Sequence, residues 1–256
     1  MEEAYTGFAE MYDLFMDTVP YEEWGAYVVS ELQKAQITEG LVLDLGCGTG
    51  SLTEYLAAKG YDMIGVDNSY DMLNIAQHKK ESSGQDILYL CQDMRELELY
   101  GTVAAVISIC DSINYMVEPE DLVQVLKLVN NYLDPNGLFL FDFNTDYKYR
   151  EMIGDTVIAE NREEGSFIWE NIYDEESRIN EYDLTIFKPT KQQGLFEKIE
   201  EIHYQRGYTL EEMKQLITAA GMVFEKAVDA DTHGAVHAES QRIYIFAREC
   251  GKIGKE

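Results

Sequence analysis

Positive charge is scarce in this chain: 20 lysines and arginines stand against 48 aspartates and glutamates, a formal charge of −28. The field of such a surface repels nucleic acid and anionic membrane at long range. The densest basic clusters are Lys79-Lys80 and the tail Lys252 to Lys255, so no basic stripe runs along any segment to track a phosphate backbone. Long apolar runs are missing too; none approaches the ~20 residues needed to span a bilayer. The start, Met1-Glu2-Glu3, is acidic where a secretory signal would be basic. A cytoplasmic protein with no membrane contact is expected. Cysteine is sparse, and Cys47, Cys91, Cys110 and Cys250 show no C-x-x-C spacing. They read as reduced, small apolar fillers. Internal repeats and low-complexity segments are absent, and 256 residues make one domain, with room for one embellishment.

Glycine, by contrast, is concentrated where it matters. Leu41-Val42-Leu43-Asp44-Leu45 reads as a buried strand that runs into Gly46-Cys47-Gly48-Thr49-Gly50. Three glycines in five residues are costly unless a ligand must lie close to bare backbone. A second apolar segment, Met63-Ile64-Gly65-Val66-Asp67, ends on a carboxylate suited to accept from two ribose hydroxyls. The dinucleotide fingerprint G-x-G-x-x-G would need glycine or alanine at position 51, which is Ser51. Asp44 at the loop entrance would also repel a pyrophosphate, whereas a cationic ligand suits it.

On these residues the chain resembles the class I S-adenosylmethionine (SAM) methyltransferases. The resemblance implies that the loop from Asp44 through Gly46, Cys47, Gly48 and Gly50 passes beneath the methionine part of SAM. It implies that Asp67 holds the ribose, with Asn68 and Met72 near the sugar and adenine. Ile87 to Met94 looks like the family's third strand, with Asp93 beside the adenine amino group and Met94 against the ring. Val103 to Cys110 looks like the fourth strand, so Cys110-Asp111-Ser112 falls where cofactor and acceptor meet. The implied cofactor is S-adenosyl-L-methionine, with S-adenosyl-L-homocysteine as its product.

The expected architecture is α/β: a Rossmann-like, doubly wound, seven-stranded, mainly parallel sheet, with an antiparallel β-hairpin insertion after the fifth strand and an N-terminal helical lid. Residues 1–34 read as the lid, two helices broken at Pro20, the first with Tyr5, Phe8, Tyr12, Phe15 and Met16 on one side. Residues 35–150 form the SAM-binding core, with Ser69 an N-cap, Pro119 a first helical residue and Pro135-Asn136-Gly137 a turn. Residues 151–208 carry period-two segments such as Tyr182 to Phe187, antiparallel strands with one wet face. Residues 209–250 complete the sheet, opening with the capping box Thr209-Leu210-Glu211-Glu212. An insertion after the fifth strand sits over the carboxyl ends of the strands, where open α/β sheets bind ligands. It is expected to roof the active site; a dimer patch is the alternative.

Tyr5 to Asp13 followed by Val19-Pro20-Tyr21-Glu22-Glu23-Trp24 resembles the lid of a bacterial branch that includes small-molecule and amino-sugar N-methyltransferases. That likeness implies Tyr12 and Trp24 at the methionine end of SAM. The catalytic candidates are Tyr12, Asp111, His203 and Arg206. Asp111 or Asn114 would hold an amine, His203 would serve as a base near neutral pH and Arg206 would suit an anionic substrate. Mg²⁺ on Asp111, Asp142 and Asn144 would resemble a catechol-type O-methyltransferase, but that family places its second acid and asparagine side by side whereas Phe143 intervenes here, so no metal is expected. The function expected is methyl transfer to a small molecule, an amine ahead of a hydroxyl, by a monomer or homodimer. The alternatives are a methyltransferase for tRNA or protein, and a non-catalytic SAM-binding sensor or partner subunit.

Overall fold

The computed structural model describes residues 9–17 and 19–252; Tyr5, Phe8 and the last residues of the lysine-bearing tail lie outside them. In chain order the elements are α1 (Ala9–Phe15), α2 (Tyr21–Lys34), β1 (Leu41–Leu45), α3 (Ser51–Ala58), β2 (Asp62–Asp67), α4 (Tyr70–Ser83), β3 (Ile87–Cys91), β4 (Val103–Ser108), α5 (Pro119–Tyr132) and β5 (Leu133–Asn144). There follow β6 (Val157–Asn161), β7 (Ser166–Asp174), β8 (Ile179–Pro189), β9 (Phe196–Arg206), α6 (Leu210–Ala219), β10 (Val223–Asp229) and β11 (Arg242–Arg248).

Seven strands form one sheet in the order β10-β11-β5-β4-β1-β2-β3. Strands β1 to β5 run parallel, while β11 is inserted antiparallel between β5 and β10. The doubly wound, mainly parallel sheet expected from the sequence is the one observed. Because successive side chains point to opposite faces, β1 buries Leu43 and Leu45 with α5 and α6 on one side and Val42 with α2 and α3 on the other. Strand order reverses between β1 and β4, and their carboxyl ends open the crevice in which such sheets bind ligands.

The helices start where local chemistry directs. Ser69 accepts the backbone N–H of Met72 at 3.3 Å, Pro119 opens α5, and Thr209 and Glu212 close a reciprocal capping box on α6. Strand β5 begins earlier than the turn at 135–137 suggests: Leu133 already pairs with Val103, and Asn136 takes φ +63° before pairing resumes at Leu138.

After β5 the segment Lys148–Ile153 forms a π-helical turn. Strands β6 to β9 then make a separate four-stranded antiparallel sheet. Its inner face presents Phe167, Trp169, Leu184, Ile186 and Ile199 to Met11, Leu14 and Phe15 of α1. Phe15 meets Phe167 edge-on at 4.8 Å, and Arg162 donates to the Leu14 carbonyl and to Asp17 at 2.7 Å each. The outer face is less uniformly polar than expected, with Ile168, Ile172, Ile202 and Tyr204 exposed among its acids.

Candidate active site

A cavity of about 270 Å³ lies between the carboxyl ends of β1, β2 and β4, the inner face of the second sheet, and α1. The first sheet and its loops contribute Asp44, Gly46, Cys47, Gly48, Asp67, Cys110 and Asp111, α4 contributes Met72, and α1 contributes Tyr12 and Phe15. From the second sheet come Trp169, Tyr182, His203 and Gln205, among others.

At the glycine loop the three glycines divide their work. Gly48 has φ +53° and a Cβ there would meet nothing within 4 Å, so its bare side opens on the cavity. A Cβ at Gly46 would instead lie 2.6 Å from Ser112 Oγ, and one at Gly50 2.4 Å from Tyr89 Oη. Gly46 permits close packing against the turn after β4, and Gly50 caps α3 in the left-handed region away from the cavity lining. Asp67 Oδ2 accepts the Gly48 N–H and Oδ1 the Ser69 N–H, both at 2.8 Å. Burial raises its pKa despite those bonds.

Asp44 is 2% exposed, and burial pushes its carboxyl up to about 7, against a Thr53 hydroxyl donating at 2.6 Å and with Asp67 adding to the rise. Such a carboxyl is poised for a cation to ionise it. The expectation that the cysteines are buried fillers is corrected: Cys47 and Cys110 face the cavity, while Cys91 and Cys250 are exposed. Burial first, then nearby aspartates, holds the Cys47 and Cys110 thiols far above the ordinary range, which leaves them protonated and poor nucleophiles.

Past β4 the chain turns through two consecutive non-glycine residues in the left-handed region, Cys110 at φ +75° and Asp111 at φ +54°. Asp142 holds this turn: its buried carboxylate accepts the N–H of Asp111 at 2.8 Å and of Cys110 at 3.2 Å. Arg242 lies 3.5 Å from the same carboxylate and 4.1 Å over the Trp24 ring. Strain kept in place by a buried carboxylate is characteristic of functional positions. It aims Asp111 into the cavity, where Oδ2 accepts from Gln205 Nε2 at 2.7 Å.

On β9, His203 is 5% exposed, with Nε2 3.3 Å from Glu201 Oε2 and Nδ1 3.4 Å from the Tyr115 hydroxyl. Helix α1 closes the cavity from the other side. Asp13 accepts from Thr49 at 2.6 Å and pairs with Lys79 at 2.7 Å, and Lys79 also donates to Ser51 at 2.8 Å. The Tyr21 hydroxyl reaches that of Tyr12 at 3.4 Å.

Several residues singled out from sequence stand elsewhere. Trp24 and Arg206 do not line the cavity; Trp24 stacks beneath Arg242, and Arg206 donates to the Val117 carbonyl at 3.3 Å. Asp93 is gripped by Arg95 and caps a short 3-10 turn, Asn68 is exposed, and Met94 packs against the core near Gly46. Asn114 is fully buried and pins Asn144 and Arg206 rather than facing a ligand. His233 stacks on Tyr27 at 3.8 Å, and His237 lies 3.7 Å from Asp229. The residues that the sequence did not single out are Gln205, Tyr149, Tyr182 and Lys148. Alternation along β9 puts Gln205 on the His203 face, the one local signal available.

Known proteins share this fold. A family profile described as a methyltransferase domain matches residues 42–137. YqeM of Bacillus subtilis (strain 168), a methyltransferase by name, is 33% identical over 97% of this chain and 98% of its own length. The crystal structure of a S-adenosylmethionine-dependent methyltransferase from Clostridium acetobutylicum ATCC 824 matches with a TM-score of 0.86 at 27% identity, over 96% of this chain and 99% of that one. SAM-bound CalS10 from Micromonospora echinaspora, an amino pentose methyltransferase, matches in fold with a TM-score of 0.72 at 16% identity, over 98% and 99% of the two chains.

Proposed function

This chain belongs to the S-adenosylmethionine-dependent methyltransferases, and on that premise we propose that it methylates the amine nitrogen of a small molecule. The residues present fit SAM. The bare face of Gly48 leaves room for it, the Asp67 carboxylate suits its ribose hydroxyls, and Asp44 offers a negative charge to its cationic methionine end. Tyr12, Cys47 and Met72 would complete the contact. Bound SAM supplies a methyl group that is already electrophilic, leaving the protein to align the acceptor and exclude water.

Asp111 carries the reading. Its carboxylate, aimed by a strained turn and held by Gln205, faces the cavity beside the glycine loop. An ammonium or amine is the natural partner for it. An amine arriving protonated must lose a proton before its lone pair can attack. His203 is the base: it faces the same cavity, and Glu201 at 3.3 Å stabilises the imidazolium that results. Arg206, turned toward Val117, has no part in the transfer. A cavity closed by a sheet on one side and α1 on another favours a small acceptor over tRNA or a protein chain. The N-methylation reading gains weight from the sugar N-methyltransferase KedS8 among the fold neighbours.

The test is transfer of labelled methyl from SAM to a panel of matched amines and alcohols, with the methylated atom located by mass spectrometry. Label on nitrogen, with S-adenosylhomocysteine formed in equal amount, is expected. His203→Gln should lower kcat and spare SAM affinity. Label on oxygen alone would sink the proposal.

A further inference from the structure

Lys148 is the sole lysine or arginine among the described residues that line the cavity. It opens the π-helical turn after β5, and among the described residues no carboxylate lies within ion-pairing distance of it. Its Nζ donates instead to the neutral Oδ1 of Asn144 at 2.9 Å.

From that contact a file of hydrogen bonds runs across the buried wall, every bond pointing the same way. Asn144 Nδ2 donates to the Tyr149 hydroxyl at 3.2 Å, Tyr149 donates to Gln205 Oε1 at 2.7 Å, and Gln205 Nε2 donates to Asp111 Oδ2 at 2.7 Å. The Tyr182 hydroxyl donates to the same Gln205 oxygen at 2.6 Å. Two phenols on Oε1 leave the Gln205 amide one orientation that satisfies every partner. Burial above all holds both phenols far above the usual tyrosine range, so they remain donors. Asn144, Tyr149 and Gln205 are each at least 97% buried, so water does not break the file.

The wall is therefore polarised, with an ammonium at one end, a carboxylate at the other, and three neutral side chains between. Both ends face the same cavity, and neither charge is neutralised by the other across that spacing. An ammonium and a carboxylate that line one cavity without pairing with each other are completed by opposite charges on a ligand. We propose that Lys148 binds an anionic oxygen group, a carboxylate or phosphate, on the acceptor, at the far end of the hydrogen-bonded file from the amine held by Asp111. The proposal rests on the reading of Asp111 as the amine's partner. It makes the acceptor an amine of mixed charge, and it explains a lysine in a cavity otherwise lined by the acids Asp44, Asp67 and Asp111.

The experiment incubates the full chain with methyl-labelled SAM and a bacterial small-metabolite extract, then separates labelled products on an anion exchanger at alkaline pH, where amines are uncharged. The expected product is retained. Loss of retention after phosphatase and phosphodiesterase treatment identifies phosphate, and persistence identifies carboxylate. Lys148→Gln should slow labelling at limiting extract by about ten- to a hundredfold, the range for one charge-assisted hydrogen bond. Lys148→Arg, which keeps the charge, should restore most of the rate, and both variants should bind SAM as the wild type does. Label in the unretained fraction, or wild-type labelling by Lys148→Gln, overturns the proposal. A retained product methylated on oxygen would instead remove the amine from Asp111 while supporting the anion at Lys148, so the two failures are separable.

Discussion

Asp44 shows what burial does to a single carboxyl. With its pKa pushed to about 7, it is partly protonated in the neutral range, and a cation beside it favours the ionised form. SAM binding should therefore release a proton below that pH. Affinity is expected to rise as pH climbs toward about 7 and to level off above, as calorimetry in buffers of different ionisation heat would detect. Without ligand the sign reverses. The folded state binds more protons than the unfolded chain between 3.8 and about 7, so Asp44 makes stability fall with rising pH across that window. Asp44→Asn should flatten both profiles; an affinity independent of pH in the wild type would remove Asp44 from the site. Four residues on, Gly48→Val should abolish SAM binding, because a branched side chain would fill the space open beside Gly48. Its thermal unfolding should remain cooperative, since no packed neighbour is displaced. The loop's glycines were legible in the sequence, but not their separate duties, because Ser112 and Tyr89 approach from distant parts of the chain.

At the scale of elements, the sequence disclosed whatever has a local cause. The capping box on α6 is one such case, and Thr209→Ala should cost ~1 kcal/mol in denaturant unfolding. Strands β7 to β9 were visible through their alternation. The partnership of Gln205 with Asp111 was not, because the two are 94 positions apart and the bond depends on how one sheet lies over the other. The π-helical turn carrying Lys148 was equally hidden, since that geometry leaves no distinctive side-chain period. Trp24 was expected at the cofactor and instead supports Arg242, and through it Asp142. Helix α1 is tied to the glycine loop through Lys79, which spans Asp13, Thr49 and Ser51. Lys79→Met should speed amide exchange within Ala9–Phe15 while shifting global stability by less than ~1 kcal/mol. Equal exchange rates in mutant and wild type would mean that this latch holds nothing.

Across the whole molecule the −28 charge acts on stability rather than on fold. Mutual repulsion among 48 acids strains the compact state, and screening relieves it as the Debye length falls from roughly 30 Å at 0.01 M salt to about 10 Å at 0.1 M. The thermal midpoint should rise over that interval; a fall would indicate that local ion pairs dominate. Among the described residues no helix is long and apolar enough to cross a membrane. Helix α1 bridges the glycine loop and the second sheet, through Asp13 and Thr49 on one side and Phe15 and Phe167 on the other. If a molecule settling in the cavity stiffens this shared helix, the next one meets a helix whose ordering entropy has already been lost. Each ligand is then expected to tighten the other through these seven residues with no change of shape, and equal affinities by calorimetry with and without the second ligand would rule the coupling out.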